Sequence, residues 1–404
     1  MANEFVTNKR TELVLLRAAE AAPYLTVGSK SYCKDQLVGK RNGQSYEFVI
    51  RDAGEYAEGE DVTDHVSDLI ERKVTKTIGI GNVTIRTSIL NKVTDVNWDK
   101  EIAMPQGEKL AKNLVKSIIS QDIGLQNTAF VGTGWLPLFK ASNFLESISS
   151  ESQYAFVDPG VESVMQATGK AFSPANGVEP IYRSGLKGTV ASAEVRAQQG
   201  LPQLVISKAL ADELSSATVS GYVDNGDGTA TLKLSNVTET IKKGTPLFVE
   251  GVYATDMVGE KTSALKAFIA IADTETAGSV KVKAFDRIGS GTKEACDADG
   301  DVIELADFGS KKLVNTIGEG TYFTGIFRVN GAFEFDTLPE LDWSNAEESV
   351  TSPQGITMHT ARAVNVLGGS NVTRYAIAAL AGIVESRGCS YVCIKDQTAN
   401  LVAM

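Results

Sequence analysis

MPQGEKLAKNLVKSIISQDIG, residues 104–124, is the stretch that decides how the rest of the chain is read. Leu110, Leu114, Val115, Ile118 and Ile119 recur at helical spacing and form one apolar stripe, while Lys109, Lys112, Asn113 and Lys116 fall on other faces. Pro105 suits a first helical turn, where its missing N–H needs no partner, and Gly124 offers a stop. The spacing predicts a helix from Pro105 to Gly124, placed as a spine between a segment of strand pattern and a mixed region. The same stripe also describes an ordinary amphipathic helix in a globular core.

Upstream, Thr11 to Ala22 reads as a short helix ended by Pro23, with Leu13, Leu16 and Val14 facing one way and Lys9, Arg10 and Arg17 adding positive charge. Such a segment needs a partner surface, so it is expected to be an arm lying on the molecule or on a neighbour. Residues 44–50 (QSYEFVI) alternate like a strand, and 70–90 return to strand pattern through Val74, Ile78, Ile80, Val83 and Ile85. Between them lies RDAGEYAEGEDVTDH, with Asp52, Glu55, Glu58, Glu60, Asp61 and Asp64 against Arg51 alone. Almost nothing in it is apolar, so it cannot bury itself. Two strands joined by this tip make a projecting hairpin. Its tip is either a solvated loop or a charged finger that grips a basic surface.

Downstream the pattern is mixed. Phe130 to Phe139 is apolar with Gly132, Gly134 and Pro137; the third glycine of a dinucleotide loop is missing. Tyr154 to Val157 reads as a strand, followed by Asp158 as N-cap and Pro159 as first residue of a helix expected to end at Gly169. A short helix with turns is expected over 173–190, then a strand in AEVRAQQGLPQL. Residues 218–288 are almost all strand and turn, which predicts a small barrel or sandwich. Asp224-Asn225-Gly226-Asp227-Gly228 reads as a hairpin turn rather than a calcium loop, because the closing Glu of the twelve-residue pattern is absent. The stretch 254–263 (ATDMVGEKTS) is expected to project as a polar loop, and 289–301 to be a surface loop or linker. Residues 321–335 hold two strands around an Asn330-Gly331 turn. Strands follow near 356–366 and 389–394, with a turn or helix around Val372 to Ile383.

Composition bounds the function. The chain has 404 residues, 43% apolar and 22% charged, enough for two or three domains with a large core. A net charge of -11 argues against wrapping nucleic acid through a basic surface, and the Lys311–Lys312 pair is too short to change that. No run of about 18 apolar residues predicts a membrane span, and MANEFVTNKRTELVLL lacks the apolar region of a secretion signal, so synthesis in a cytoplasm is expected. Cys33, Cys296, Cys389 and Cys393 form no CxxC pair and read as small buried thiols. With only His65 and His359, and with no GxSxG, HExxH, DFG or P-loop, the chain is expected to be neither an enzyme nor a binder of metal or cofactor.

The order of parts resembles the major capsid (coat) proteins of tailed bacteriophages. The resemblance is carried by EKLAKNLVKSII (108–119), by YAFVDPGVESVMQATGKAF (154–172) with GVEPIYRSGLKG (177–188), and by TETIKKGTPLFVEGVYA (238–254) with AFIAIADTETAGSVKV (267–282). It is similar most of all to short-tailed phage coat proteins with an inserted β-domain. The resemblance implies an α+β fold with an N-terminal arm at 1–40, an extended loop hairpin at 41–90 and a spine region at 91–124. The axial domain would occupy 125–206 and 313–345, an inserted β-barrel 207–312, and closing peripheral and axial strands 346–404. It further implies an icosahedral virion shell, built from hexamers and pentamers in the host cytoplasm around double-stranded DNA, that touches the DNA weakly. Scaffolding protein, portal protein and a decoration protein are the implied partners, with no membrane and no cofactor. Arg10, Arg17, Arg72, Lys73, Lys109, Lys112 and Lys116 are the candidate partners of Asp52 to Asp64 across subunits. Asp256, Glu260 and Lys261 are candidates for a contact across a symmetry axis. A cell-surface or secreted β-domain binding protein is the alternative that DNGDGTATL would also fit, and an enzyme with an unfamiliar site is a second rival.

Overall fold

The computed structural model describes residues 2–30, 37, 43–51, 71–88, 104–161, 164, 188–285, 294–301, 303, 308–339, 346–352, 355–365 and 370–397. The acidic stretch 52–64, the remainder of the helix expected to end at Gly169, nearly all of 173–190, Cys33 and His65 lie outside them.

The helix read at the start is present as Met104–Asp122, with a 3-10 turn at Ile123–Leu125 in place of a glycine stop. The five stripe residues are all buried. A first helix, α1 (Ala2–Ala21), crosses it. The spine, numbered α3, follows a single turn α2 (Pro23–Thr26). The α1–α3 crossing is at Gly107, where a Cβ would come within 2.5 Å of the Val14 carbonyl oxygen. The arm thus lies on its own chain. Its inward residues are Val14, Leu15, Ala18, Ala19 and Ala22, and Leu16, expected inside, is exposed. The expected face came from three leucine and valine positions; the alanines that permit close helix approach carry the contact instead.

Two sheets carry the body. The strands of the first are β1 (Ser29–Lys30), β4 (Gly79–Ser88), β17 (Phe333–Thr337), β18 (Ala346–Thr351), β19 (Thr357–Asn365) and β20 (Ser370–Ile383). They run in the order β1-β17-β20-β19-β18, with β4 also paired to β20. In the second, β5 (Thr128–Thr133), β21 (Cys389–Lys395), β16 (Gly320–Val329), β6 (Gln153–Val157), β8 (Ala193–Ala197) and β7 (Gly188–Val190) follow one another, and β9 (Leu204–Ile206) joins β16. A separate ribbon, β2 (Ser45–Arg51) with β3 (Glu71–Thr77), pairs in register from Ser45↔Thr77 to Arg51↔Glu71 and joins neither sheet. This is the base of the expected hairpin.

Two expectations are corrected here. Val372 to Ile383 is not a turn or helix but part of the fourteen-residue strand β20. The run from Tyr375 to Leu380 is buried throughout, so it lacks the alternation of a half-exposed strand, and its alanines imitate helix composition. The strands flanking Asn330-Gly331 are real but do not pair with each other: β16 belongs to one sheet and β17 to the other. The turn, with Gly331 at φ +85, passes the chain between sheets. Two helices also went unread, α4 (Leu136–Ile148), whose Pro137 sits in the first turn, and α5 (Lys208–Ser216), capped by the Ser207 hydroxyl accepting from the Leu210 amide at 3.1 Å.

The β-rich region forms two three-stranded sheets. One joins β10 (Thr218–Asp224), β11 (Thr229–Ser235) and β14 (Ser279–Lys283); the other β13 (Lys261–Ile269), β12 (Pro246–Thr255) and β15 (Ala295–Cys296). Tyr222, Phe268, Phe285 and Phe308 meet between them with centroids 4.9 to 6.2 Å apart. The Asn225–Gly228 turn uses its own acids: Asp224 accepts from the Gly226 amide and Asp227 from the Thr229 amide, each at 2.9 Å. The expected projecting loop at 254–263 shrinks to a turn, because strand pairing continues to Thr255↔Lys261. In the expected linker, Ala295 and Cys296 are a buried edge strand on β12.

At the crossing between the main sheets sits Arg328, with no exposed surface. Its guanidinium lies 4.8, 4.6 and 4.0 Å from the ring centroids of Tyr24, Phe156 and Phe333. Nη2 donates to the carbonyls of Tyr24 (2.7 Å) and Val27 (2.6 Å). Burial lowers its pKa to about 10, so it stays charged at neutral pH. Arg328→Met is expected to lower stability by roughly 2–4 kcal/mol, since two buried carbonyls lose their donor and the rings lose their cation. Urea unfolding reads this, and an unshifted midpoint would contradict it.

His359 is buried in β19 and held neutral: Nε2 donates to the Leu338 carbonyl at 3.0 Å and Nδ1 accepts from the Ser349 hydroxyl at 2.7 Å. Burial depresses its pKa below the ordinary value. The unfolded chain therefore binds the extra proton first as pH falls through about 6.5, so this contribution is full above that pH and shrinks below it. The loss of stability between pH 7.5 and 5.5 is expected to be smaller in His359→Gln; equal losses in urea titrations would contradict the assignment.

Candidate assembly surface

Packing Leu110, Leu114, Val115, Ile118 and Ile119 inward obliges the opposite face of α3 to look out. Lys109, Lys112 and Lys116 are exposed there, three and four residues apart, in one row of ammonium groups. α1 adds Arg17 at the same edge. Its Nε donates to Glu108 at 2.9 Å, Nη2 contacts the same carboxylate, and Nη1 reaches Glu20 at 3.0 Å. The hydrogen bond to Glu108, then that to Glu20, raises the Arg17 pKa. An open cleft of about 470 Å³ lies here, lined among others by Arg17, Glu20, Glu108, Lys109, Lys112 and Pro159.

The structure thus brings four of the seven candidate cations, Arg17, Lys109, Lys112 and Lys116, onto one face. Arg17 is already committed to Glu108 and Glu20, and among the described residues the three lysines form no ion pair. Arg10 lies on α1, and Arg72 and Lys73 lie on β3. Their proposed counterparts Asp52, Glu55, Glu58, Glu60, Asp61 and Asp64 fall outside the described residues.

The second candidate group occupies the β12–β13 turn. Asp256 Oδ1 accepts from the amides of Val258 (3.0 Å) and Glu260 (2.8 Å), so it holds the turn closed. Lys261 Nζ lies 4.5 Å from the Tyr253 ring centroid and donates to the Ala298 carbonyl. Val258 at the tip is exposed. These three residues shape a tip whose apolar end faces outward.

Sequence reasoning missed the polar centre at the end of the spine helix. Asp122, in the last turn of α3, is 1% exposed and pairs with Lys76 of β3 at 2.9 Å. A carboxylate at a helix C-terminus opposes the helix dipole, and that mismatch was the signal in the sequence.

Reactive chemistry is muted among the described residues. The thiols of Cys389 and Cys393 are pushed far up by burial, which keeps them protonated. No group of three or more His, Cys, Asp or Glu there is placed to hold a metal ion. No described helix is long and apolar enough to cross a membrane.

No protein-family model and no curated protein matches this chain. Among solved structures it is similar to the capsid of Ralstonia phage GP4, at 8% identity and a TM-score of 0.44 over 94% of this chain and 91% of that one. The acid-stable capsid of Helicobacter pylori bacteriophage KHP30 gives 8% identity and a TM-score of 0.44 over 93% and 90%. A virus-like particle from Pyrococcus furiosus gives 10% identity and 0.39 over 95% and 97%. Similarity this distant leaves function to be argued from the chain itself.

Proposed function

We propose that this chain is the major capsid subunit of a short-tailed double-stranded DNA bacteriophage, assembling as hexamers and pentamers into an icosahedral shell. The observation that carries the reading is the β2–β3 ribbon. It leaves the body without joining either sheet and leads into the acidic stretch 52–64, while the same chain presents Lys109, Lys112 and Lys116 in a row on α3. A strut of one charge and a track of the other on one subunit suit a head-to-tail contact between copies, which closes into rings. The crossed α1–α3 pair, the two three-stranded sheets of the β-rich region and the long helix α3 support it further, because they follow the order of parts read in the sequence.

In this reading residues 1–40 are the arm, 41–90 the extended loop and 91–124 the spine. The axial domain takes 125–206 and 313–345, the inserted domain 207–312, and closing strands 346–404. Arg10, Arg72 and Lys73 add to the basic side, and the Asp256–Lys261 turn meets a neighbour through its exposed tip. Scaffolding, portal and decoration proteins are the partners, the host cytoplasm is the place of assembly and the virion the destination. A net charge of -11 suits a wall that lets DNA slide, since cationic contact would bind phosphates in a salt-dependent way.

Reversing Asp61→Lys with Asp64→Lys is expected to abolish shell formation while the subunit keeps its circular dichroism and unfolding midpoint. Adding Lys109→Glu, Lys112→Glu and Lys116→Glu is expected to restore part of the assembly. Electron microscopy of particles reads both steps. Normal shells from the first variant would overturn the proposed contact.

A further inference from the structure

The C-terminus of α3 gathers lysines from parts of the chain that are far apart in sequence. A helix end leaves its last carbonyls unpaired and carries partial negative charge, and Asp122 adds a full one. Lys243, between β11 and β12, donates through Nζ to the Ser120 carbonyl at 2.9 Å and to the Ser120 hydroxyl. Lys76, from the β2–β3 ribbon, donates to Asp122 Oδ1 at 2.9 Å. Lys283, at the end of β14, runs its stem over Gly124, where a Cβ would lie 3.1 Å from its Cγ. Asp122 Oδ2 accepts the Ile383 amide at 3.0 Å, which ties the carboxylate to the end of β20.

The backbone makes room for this arrangement. Gly382 has φ +152, and a Cβ there would stand 2.5 Å from Lys76 Nζ and 3.1 Å from Asp122 Oδ1. Any side chain at 382 would displace the ion pair. The ribbon has other attachments. Its ladder ends at Ile78, whose amide and carbonyl bond to Gln44 and Gly43, and β4 then begins at Gly79 in the first sheet. A small apolar cluster that includes Phe48, Ile78, Leu338, Ala378, Leu380 and Val384, separate from the main core, also holds it.

We propose that the C-terminal end of α3 is an electrostatic joint through which the β2–β3 ribbon and the β-domain of Lys243 and Lys283 constrain one another. The physical link is the shared negative end. Lys76 pairs with Asp122, Lys283 lies over Gly124 just beyond it, and Lys243 holds the turn that carries it. Loosening one lysine lets the last turn move, and the others then lose their acceptor geometry. Lys283 registers this crowding: burial lowers its pKa, with Lys76 lowering it further and Asp122 opposing. The joint fixes the angle of the ribbon relative to the β-domain, and it stands whatever the chain assembles into.

Hydrogen exchange on the full-length subunit tests this in both directions. Lys243→Met is expected to speed exchange of ribbon amides in 45–51 and 71–77 by about tenfold, although Lys243 is not in the ribbon. Coupling is reciprocal, so Lys76→Met must speed exchange at Gly244 and Thr245 and in β14. Lys242→Met is the control, because Lys242 pairs with Asp273 at 3.0 Å inside the β-domain. It is expected to leave the ribbon unchanged. Should a methionine variant fail to fold, Ser120→Ala, which removes only the hydroxyl acceptor, is expected to give a smaller rise in the same ribbon amides. Changes confined to the mutated element in each case would overturn the joint.

Discussion

A charged guanidinium with no exposed surface stands where the chain passes from one sheet to the other, and much of the fold is arranged to tolerate it. Among the described residues no carboxylate pairs with Arg328. Its charge rests instead on three aromatic faces and two carbonyl oxygens. Those groups come from four places: the segment after α1, strand β6, strand β17 and the turn before β1. An isolated buried cation is costly, so the site persists only if all four arrive together. That requirement fixes the arm segment against both sheets at the point where β16 hands over to β17. The placement of α1 across α3 then follows from the same anchor, with Gly107 letting the two backbones close.

Legibility in the sequence tracks how local each cause is. The stripe on the spine helix, the strands of the ribbon and the Asn225–Gly228 turn are set by residues a few positions apart, and each is where the pattern places it. The exceptions have non-local causes. β20 looks helical because its alanine-rich run lacks alternation, and it lacks alternation because both faces are covered. The Asn-Gly turn at 330–331 carries the signature of a hairpin, yet the strands on either side are claimed by different sheets. Pro137 stands where a dinucleotide loop would have its third glycine, and in the fold it sits in the first turn of α4. Leu16 has the composition of a core residue, and the alanines of α1 take its place because they allow closer approach.

The candidate surface shows the same division. That Lys109, Lys112 and Lys116 share a helix face is readable from their spacing. That Arg17 is spent on Glu108 and Glu20 is not, since the partners lie 91 residues apart in one case. The lysines converging on the end of α3 are further still from local rules. Lys76, Lys243 and Lys283 have no common motif, and only the fold brings them to one helix end, where Lys76 alone bonds the Asp122 carboxylate. The two polar centres divide the work: Arg328 holds the two main sheets and the arm, and Asp122 holds the ribbon and the β-domain to the spine.

The central claim is that the subunit is built to meet copies of itself, and negative-stain electron microscopy of the unmodified protein tests it most directly. The protein would be imaged alone and with the proposed scaffolding protein, at high concentration. The account predicts closed shells of uniform size, or shells and spirals made of the same subunit. Monomers alone under both conditions would contradict it.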